Sequence, residues 1–265
     1  MNVMTTLARV KIGTISFDRM TTEEILKLLL DQMKSGKECI QIMGGNSNHV
    51  FIASKNHYYA KICNESSIFF VDGQSIVIAA EFAGVRIPER IAGPDLMMKI
   101  LSECARNKLK VFLLGGSETS LANLQSNIKG LFPKVIAGAY SPPFGQWDQN
   151  ENQKILTKIN TSSADLLMVG ISAPKQDIWV YEQKEKLKTK VAIGFGAAFD
   201  FHSGRVKRAP LWMQRICLEW FHRFLQEPRR MWRRYLYANS YLGLLILKIL
   251  ILRVLQIGPI GSKNK

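Results

Sequence analysis

The chain reads as an α/β protein: a Rossmann-like open, mainly parallel sheet with flanking helices, followed by a C-terminal helical, membrane-associating appendage. Three observations predict this. Compact apolar runs recur five times, each leaving through a glycine-containing loop and most leading into helical spacing, the pattern of parallel strands joined by crossover helices. From Arg205 to Arg234, nine Lys or Arg stand against two Glu, so this stretch supplies +7 of the chain's net +15. Behind it, Tyr241 to Leu255 is almost wholly aliphatic, broken by Gly243, Lys248 and Arg253. The division implied is a catalytic core over residues 1–204 and a basic, aromatic and aliphatic appendage over 205–265.

Taken in order, RVKIGTISF (residues 9–17) alternates enough for a short edge hairpin with Gly13 at its turn. Thr21 and Thr22 followed by Glu23 and Glu24 open a helix whose stripe of Ile25, Leu28 and Leu29 ends near Gly36. Cys39 to Met43 is the first compact strand; it exits at Gly44-Gly45-Asn46, and helical spacing resumes from Val50 to Cys63. Ile68 to Val71 exits at Asp72-Gly73 before a helix from about Ser75 to Phe82. Val111 to Leu114 exits at Gly115-Gly116-Ser117 before a helix through Ile128. After Tyr140, SPPFGQWDQN is a turn-rich connection. Leu166 to Val169 exits at Gly170, with a helix after Pro174, and Val191 to Ile193 ends at Gly194. The strand order is left open.

Composition narrows the function classes. An apolar share of 47% over 265 residues excludes disorder. Cys39, Cys63, Cys104 and Cys217 are far apart without a CxxC pair, which suggests neither a disulfide framework nor a zinc site. The N-terminus has no apolar stretch of signal-peptide length. No HxH, HExxH or DxD cluster appears, so no metal is predicted, and GxSxG is missing, which makes hydrolase chemistry a poor fit. Gly115-Gly116-Ser117 lacks the GxGxxG spacing and the following acidic residue of a dinucleotide site, so no cofactor is expected. The aliphatic run is shorter than the roughly 20 residues of a spanning helix. It suits a segment lying in the membrane interface; a core helix or a homo-oligomer contact is the alternative use.

In open α/β sheets ligands gather at the carboxyl ends of the strands. That rule nominates Asn46, Asp72, Gly115, Gly116, Gln176 and Asp200, with Arg90 from RIPERIAGPDL. Asp72 is the most telling, because a carboxylate at a strand end must be solvated, paired or used, and a general base fits it. Asp95 reads as favouring a helix N-terminus, and among the histidines only His202 lies beside a loop carboxylate. The basic stretch calls for an anionic partner. A nucleic-acid-binding protein and a non-catalytic membrane scaffold are the rivals from other classes; no nucleic-acid motif accompanies the basic residues.

GGNSNHV, FFVDGQSIV, ERIAGPDL, FLLGG, GISAPKQDIW and above all GFGAAFDFHSGRVKRAPLWMQRICLEWFHRFLQEPRRMWRRYL resemble the WecG/TagA/CpsF glycosyltransferases of bacterial surface-polymer synthesis, over roughly residues 10 to 237. The resemblance implies an inverting, metal-independent enzyme that moves a sugar from a UDP donor to a polyprenyl-diphosphate-linked sugar. It would work at the cytoplasmic face of the plasma membrane, peripherally or monotopically. Teichoic acid and enterobacterial antigen members transfer N-acetylmannosamine or its uronic acid, and capsule and exopolysaccharide members other sugars. Residue by residue, it places the family's catalytic Asp on Asp72, its Arg on Arg90 and its Gln on Gln176. Its TPN-like motif falls with the Thr on Gly44 and the Asn on Asn46, a departure that puts mannosaminyl specificity in question. GFGAAFDFHSG looks closer to the capsule and exopolysaccharide branch. The appendage is implied to fold over the site and contribute arginines. After Pro228, Arg229/Arg233 and Arg230/Arg234 form i,i+4 pairs on one basic face, while Trp212, Ile216, Trp220 and Phe224 make a stripe in the helix before it.

Overall fold

A computed structural model describes residues 8–215 and 218–257. β1 (Arg9–Ile12) and β2 (Ile15–Asp18) form the expected antiparallel hairpin, and Asp18, buried at its end, is held by the Arg9 guanidinium at 2.8 Å. α1 (Thr22–Ser35) starts at a capping box in which Thr21 and Glu24 bond reciprocally, and it buries Ile25, Leu29 and Met33. β3 (Ile40–Gly45) is followed by two helices where the spacing predicts one: α2 (Ser47–Lys55) and α3 (His57–Glu65). The break is at Asn56, whose backbone closes α2 while its Oδ1 accepts from the Tyr59 N–H at 3.0 Å.

β4 (Ile68–Val71), α4 (Gln74–Phe82), α5 (Gly93–Arg106), β5 (Val111–Gly115) and α6 (Glu118–Leu131) come next. β6 (Ile136–Tyr140) is a strand that the sequence reading does not register. Its IAGAY is only half-buried along its length, because β6 lies at the sheet edge. α7 (Gln149–Thr161), β7 (Leu166–Gly170), α8 (Lys175–Gln183), β8 (Val191–Gly194) and α9 (Ala197–His202) complete the core.

The strands lie in the order β1-β2-β4-β3-β8-β7-β5-β6, all pairs but β1–β2 being parallel. Every residue of β4 is buried, as a strand covered on both faces requires. Its side chains alternate: Ile68 and Phe70 join a cluster with Leu29, Leu96, Met97 and Leu124, under α1, α5 and α6. Phe69 and Val71 join Val50, Ile62 and Ile76, under α2, α3 and α4. A third cluster of Leu114, Val169, Ile159 and Val180 places α7 and α8 on that same second face. The result is a doubly wound sheet whose carboxyl edge, where β3, β4, β5, β7 and β8 end, is one continuous rim.

The chain then runs through α10 (Leu211–Arg215) and α11 (Glu219–Gln226) into the long α12 (Pro228–Ile257). Trp212 and Trp220, both exposed, fall on separate helices, and Ile216 lies outside the described residues. α12 folds back onto α2 and α4. Phe51 stacks on Tyr237 with ring centroids 6.0 Å apart, and the Ser47 hydroxyl donates to Asn239 Oδ1 at 3.0 Å. Its aliphatic run is therefore divided: Leu242 is buried in the second-face cluster with Leu245 and Ile246 packed beside it, whereas Leu244, Leu247 and Ile251 face outward. Among the described residues no helix is long and apolar enough to cross a membrane.

Candidate active site

Two cavities open at the carboxyl rim. The first, about 480 Å³, lies between the ends of β3 and β4 and the appendage; the core lines it with Asn46, Asp72 and Arg90, and the appendage with Glu219, Arg223, Arg234 and Tyr235. Asp72 is positioned by its backbone N–H, which donates to Gly45 O at 3.0 Å, so the first residue past β4 is still tied to β3. Its Oδ1 accepts from Gly93 N–H, at the N-terminus of α5, at 3.0 Å. Deep placement under the appendage raises its pKa above the ordinary carboxylate value, against the lowering effect of the Gly93 N–H and of Arg90; Glu219 adds to the rise and Arg234 opposes it. A carboxylate so placed is more basic than an ordinary one, and it shares the cavity with Arg90, Arg223 and Arg234.

Arg223 is held unusually firmly for an arginine. Its side chain is 9% exposed, and its Nη2 donates to Asp200 Oδ2 at 3.2 Å and Glu227 Oε2 at 3.1 Å. Its Nη1 has no hydrogen-bond partner among the described residues. A buried guanidinium N–H without an acceptor is costly, and an anionic ligand would satisfy it. Arg208 clamps the same segment to the core through both carboxylate oxygens of Asp95, which sits in the first turn of α5 as its sequence context implies.

The second cavity, about 730 Å³, lies over the ends of β5 and β7 and is lined by Gly115, Gly116, Gly170, Lys175, Asp200 and Arg205 together with the 142–147 loop. Gly115 and Gly116 both have positive φ, and a Cβ on Gly115 would stand 2.7 Å from the Gly170 backbone, so the close approach of the two strand ends requires glycine. The turn-rich connection after Tyr140 forms a wall of this cavity. The Ser141 hydroxyl donates to Gly116 O at 2.7 Å, Lys175 Nζ reaches Gly145 O and lies 3.7 Å from the Trp147 ring, and Phe144 is 91% exposed at the mouth. Asp200 stands between the cavities, its Oδ1 accepting from Arg205 Nε at 2.8 Å on one side and its Oδ2 from Arg223 on the other.

Beneath the rim a buried polar network joins three elements. His49 Nδ1 lies 3.3 Å from the Asn46 backbone N–H and 3.2 Å from Asn46 Oδ1, and its Nε2 faces Asp177 Oδ2 at 3.8 Å. The Tyr59 hydroxyl donates to that same oxygen at 2.7 Å, and Gln41 Nε2 donates to the Asp177 carbonyl at 2.8 Å. Burial, aided by the Arg234 charge, pushes His49 down to about 3, and burial lifts Asp177 to about 7 against the hydrogen bonds from Tyr59 and Gln176. Between those two values His49 is neutral and the one titrating proton of the two groups is on Asp177.

Of the sequence-nominated residues, Asp72, Arg90 and Asn46 meet in the first cavity, and Gly115, Gly116 and Asp200 in the second. Gln176 lines neither; its Oε1 accepts from the Ser172 N–H at 3.1 Å, and it packs against Gly194 at the β8 exit. Gly44 also lines neither, lying within β3 against the Phe70 ring. Arg229 and Arg233 are exposed away from both cavities, and the Arg230 side chain lies outside the described residues. His202 hydrogen-bonds Pro94 O at 2.9 Å through its Nε2. The residues missed were Arg223, Glu219 and the His49–Asp177 pair; for Arg223 the only signal was its place in the basic stretch, and for the buried pair there was none.

The profile described as "Glycosyl transferase WecG/TagA/CpsF family" matches residues 10–254. Two similar proteins carry the name N-acetylglucosaminyldiphosphoundecaprenol N-acetyl-beta-D-mannosaminyltransferase. That of Bacillus subtilis is 30% identical over 203 residues, covering 77% of each chain. That of Bacillus spizizenii is 32% identical over 200 residues, covering 76% of each.

Proposed function

Because the chain belongs to the WecG/TagA/CpsF family of glycosyl transferases, we propose that it moves a sugar from a UDP-sugar to a sugar carried on polyprenyl diphosphate, with inversion, in the synthesis of a bacterial surface polymer. The observation that carries this reading is the first cavity: one carboxylate of raised pKa, together with arginines from both core and appendage. The relatives' names support the acceptor class.

In this reading Asp72 removes the proton from the acceptor hydroxyl as that oxygen attacks the donor's anomeric carbon. A single displacement inverts the centre and expels UDP. The nucleotide lies in the second cavity, its diphosphate directed past Gly115 and Gly116 toward the partition at Asp200. Negative charge grows on that diphosphate as the bond breaks; Lys175 and Arg205, which line the second cavity, are the cations that stabilise it, with Arg223 behind the Asp200 partition. General-base assistance of this kind is worth about 10² to 10⁴ in rate.

The appendage supplies the membrane contact. Trp212, Trp220, Phe221, Leu225, Trp232 and Leu236 are exposed, interleaved with the exposed Arg229 and Arg233. That combination suits an anionic surface, with aromatic side chains at headgroup depth and cations beside them. We place the enzyme at the cytoplasmic face of the membrane, where its lipid acceptor resides.

The test is a transfer assay of the full chain with N-acetylglucosamine on a short prenyl diphosphate. A panel of UDP-sugars would include N-acetylmannosamine, its uronic acid and other hexoses. Transfer from at least one donor is expected. No transfer and no UDP release with any donor would overturn the reading in favour of a non-catalytic scaffold.

A further inference from the structure

The first cavity does not end at its arginines. Its wall on α12 continues from Arg234 through Ala238, Leu242 and Gly243 to Ile246, opposite Ile78 of α4. Those twelve steps of helix cover about 18 Å. Gly243 stands inside a 30-residue helix, a place where glycine is about fivefold less favourable than alanine. Among the described residues, the helix's own backbone apart, a Cβ built on it meets no atom within 4 Å. Gly243 is exposed on the open side of the cavity, so the missing side chain keeps that side of the helix clear. One and two turns further on, the exposed Leu247 and Ile251 continue the same line along the helix.

Cations at one end and an unfilled aliphatic slot at the other match the polarity of a diphosphate joined to a hydrocarbon chain. We propose that the slot between α4 and α12 holds the first isoprenoid units of the lipid acceptor and leads the chain from the crevice to the outer aliphatic face of α12. The identity of the headgroup rests on the glycosyltransferase reading above; the slot rests on the continuity of the cavity and the clear side of the helix at Gly243. Lipid chains gain affinity with each buried methylene, by about fourfold. A Leu side chain that displaces two such groups therefore costs more than about tenfold.

The experiment measures binding, so it does not depend on turnover. Full-length protein is titrated with inorganic diphosphate, a farnesyl-length diphosphate and a longer prenyl diphosphate in detergent, following the fluorescence of Trp220 in the cavity wall. Wild type should favour the prenyl diphosphates over inorganic diphosphate by at least about tenfold. Gly243→Leu, and independently Ile78→Trp on the facing wall, should reduce that preference to below about threefold, with melting temperatures showing both variants folded. A wild type that binds prenyl and inorganic diphosphate equally, or folded variants that keep the full preference, would overturn the slot. Chain-length preference without transfer from any UDP-sugar would leave the slot standing and overturn the enzymatic reading alone.

Discussion

The buried pair under the rim makes a prediction whose sign can be worked out. His49 titrates at about 3 in place of its ordinary 6.5, and Asp177 at about 7 in place of its ordinary 3.8. Between about pH 4.5 and 6 the unfolded chain carries close to one proton on this pair, on the histidine. The folded protein also carries one. Since stability changes with pH only through the difference in bound protons, the pair contributes no slope in that window. Each group alone would contribute one. In Asp177→Asn the remaining His49 is still lowered, because burial is the leading cause. The unfolded state then binds more protons, and stability rises with pH by up to about 1.4 kcal/mol per unit. In His49→Gln the remaining Asp177 is raised, the folded state binds the extra proton, and stability falls with pH at a similar rate. From pH 4.5 to 6 the two variants should diverge by about 4 kcal/mol, the sum of about 2 each way. Urea unfolding of both variants and wild type on one pH grid measures this, since all other groups cancel in the differences. Variants displaced from wild type by a constant amount at every pH would refute the opposed shifts of the two groups.

Other consequences follow from the crevice and the appendage. Asp72→Asn should keep the fold and lower kcat by about 10² to 10⁴; unchanged turnover would remove it as the base. Because its pKa is raised by burial, kcat/KM for wild type should climb with pH through a limb above the ordinary carboxylate range, and Glu219→Gln should move that limb to lower pH. Arg229→Ala with Arg233→Ala should weaken sedimentation with anionic vesicles by about 30-fold, from about 1 kcal/mol per cation. Both arginines are exposed away from the crevice, so equal sedimentation of variant and wild type would show that another surface holds the bilayer.

The sheet was legible because parallel strands covered on both faces must be continuous apolar runs, and because they end in loops where backbones crowd. β4 and β5 show both properties. β6 escaped because an edge strand is covered less, so IAGAY carries no strong apolar signal. The site was legible where it consists of strand-end residues such as Asp72 and Asn46. It was not where the site is built by distant residues meeting, as with Asp200 and Arg223, or His49 and Asp177, which α2 and α8 bring within 3.8 Å. Composition announced the arginines without separating them. Burial and pairing do that, placing Arg223 and Arg234 in the crevice and leaving Arg229 and Arg233 outside it.

Gly44 shows how a departure from the family pattern follows from packing. It pairs in register with Phe70 on β4, and a Cβ there would stand 2.6 Å from the tip of the Phe70 ring. Phe70 is fully buried among the residues under α1 and α5, so the ring cannot swing out to solvent. Glycine at 44 and phenylalanine at 70 are therefore a coupled choice: the Thr that the family resemblance implies can return only if the ring is reduced. Gly44→Thr alone should cost about 1 to 3 kcal/mol as an overpacked core. In Gly44→Thr with Phe70→Leu the shorter side chain clears the space. A double-mutant cycle by urea unfolding should then give a favourable coupling of at least about 1 kcal/mol. Additivity within about 0.5 kcal/mol would mean that the ring is not what excludes a side chain at 44. The same geometry bears on the donor. The Ser47 hydroxyl is committed to Asn239, Gly44 is turned into the core and Asn46 Oδ1 caps α2, so a polar contact from this loop to a sugar falls to Asn46 Nδ2 or to Asn48, both side chains lining the cavity. At least one of Asn46→Ala and Asn48→Ala should therefore raise KM for the donor or acceptor sugar, whereas the Gly44 variants, once repacked, should not.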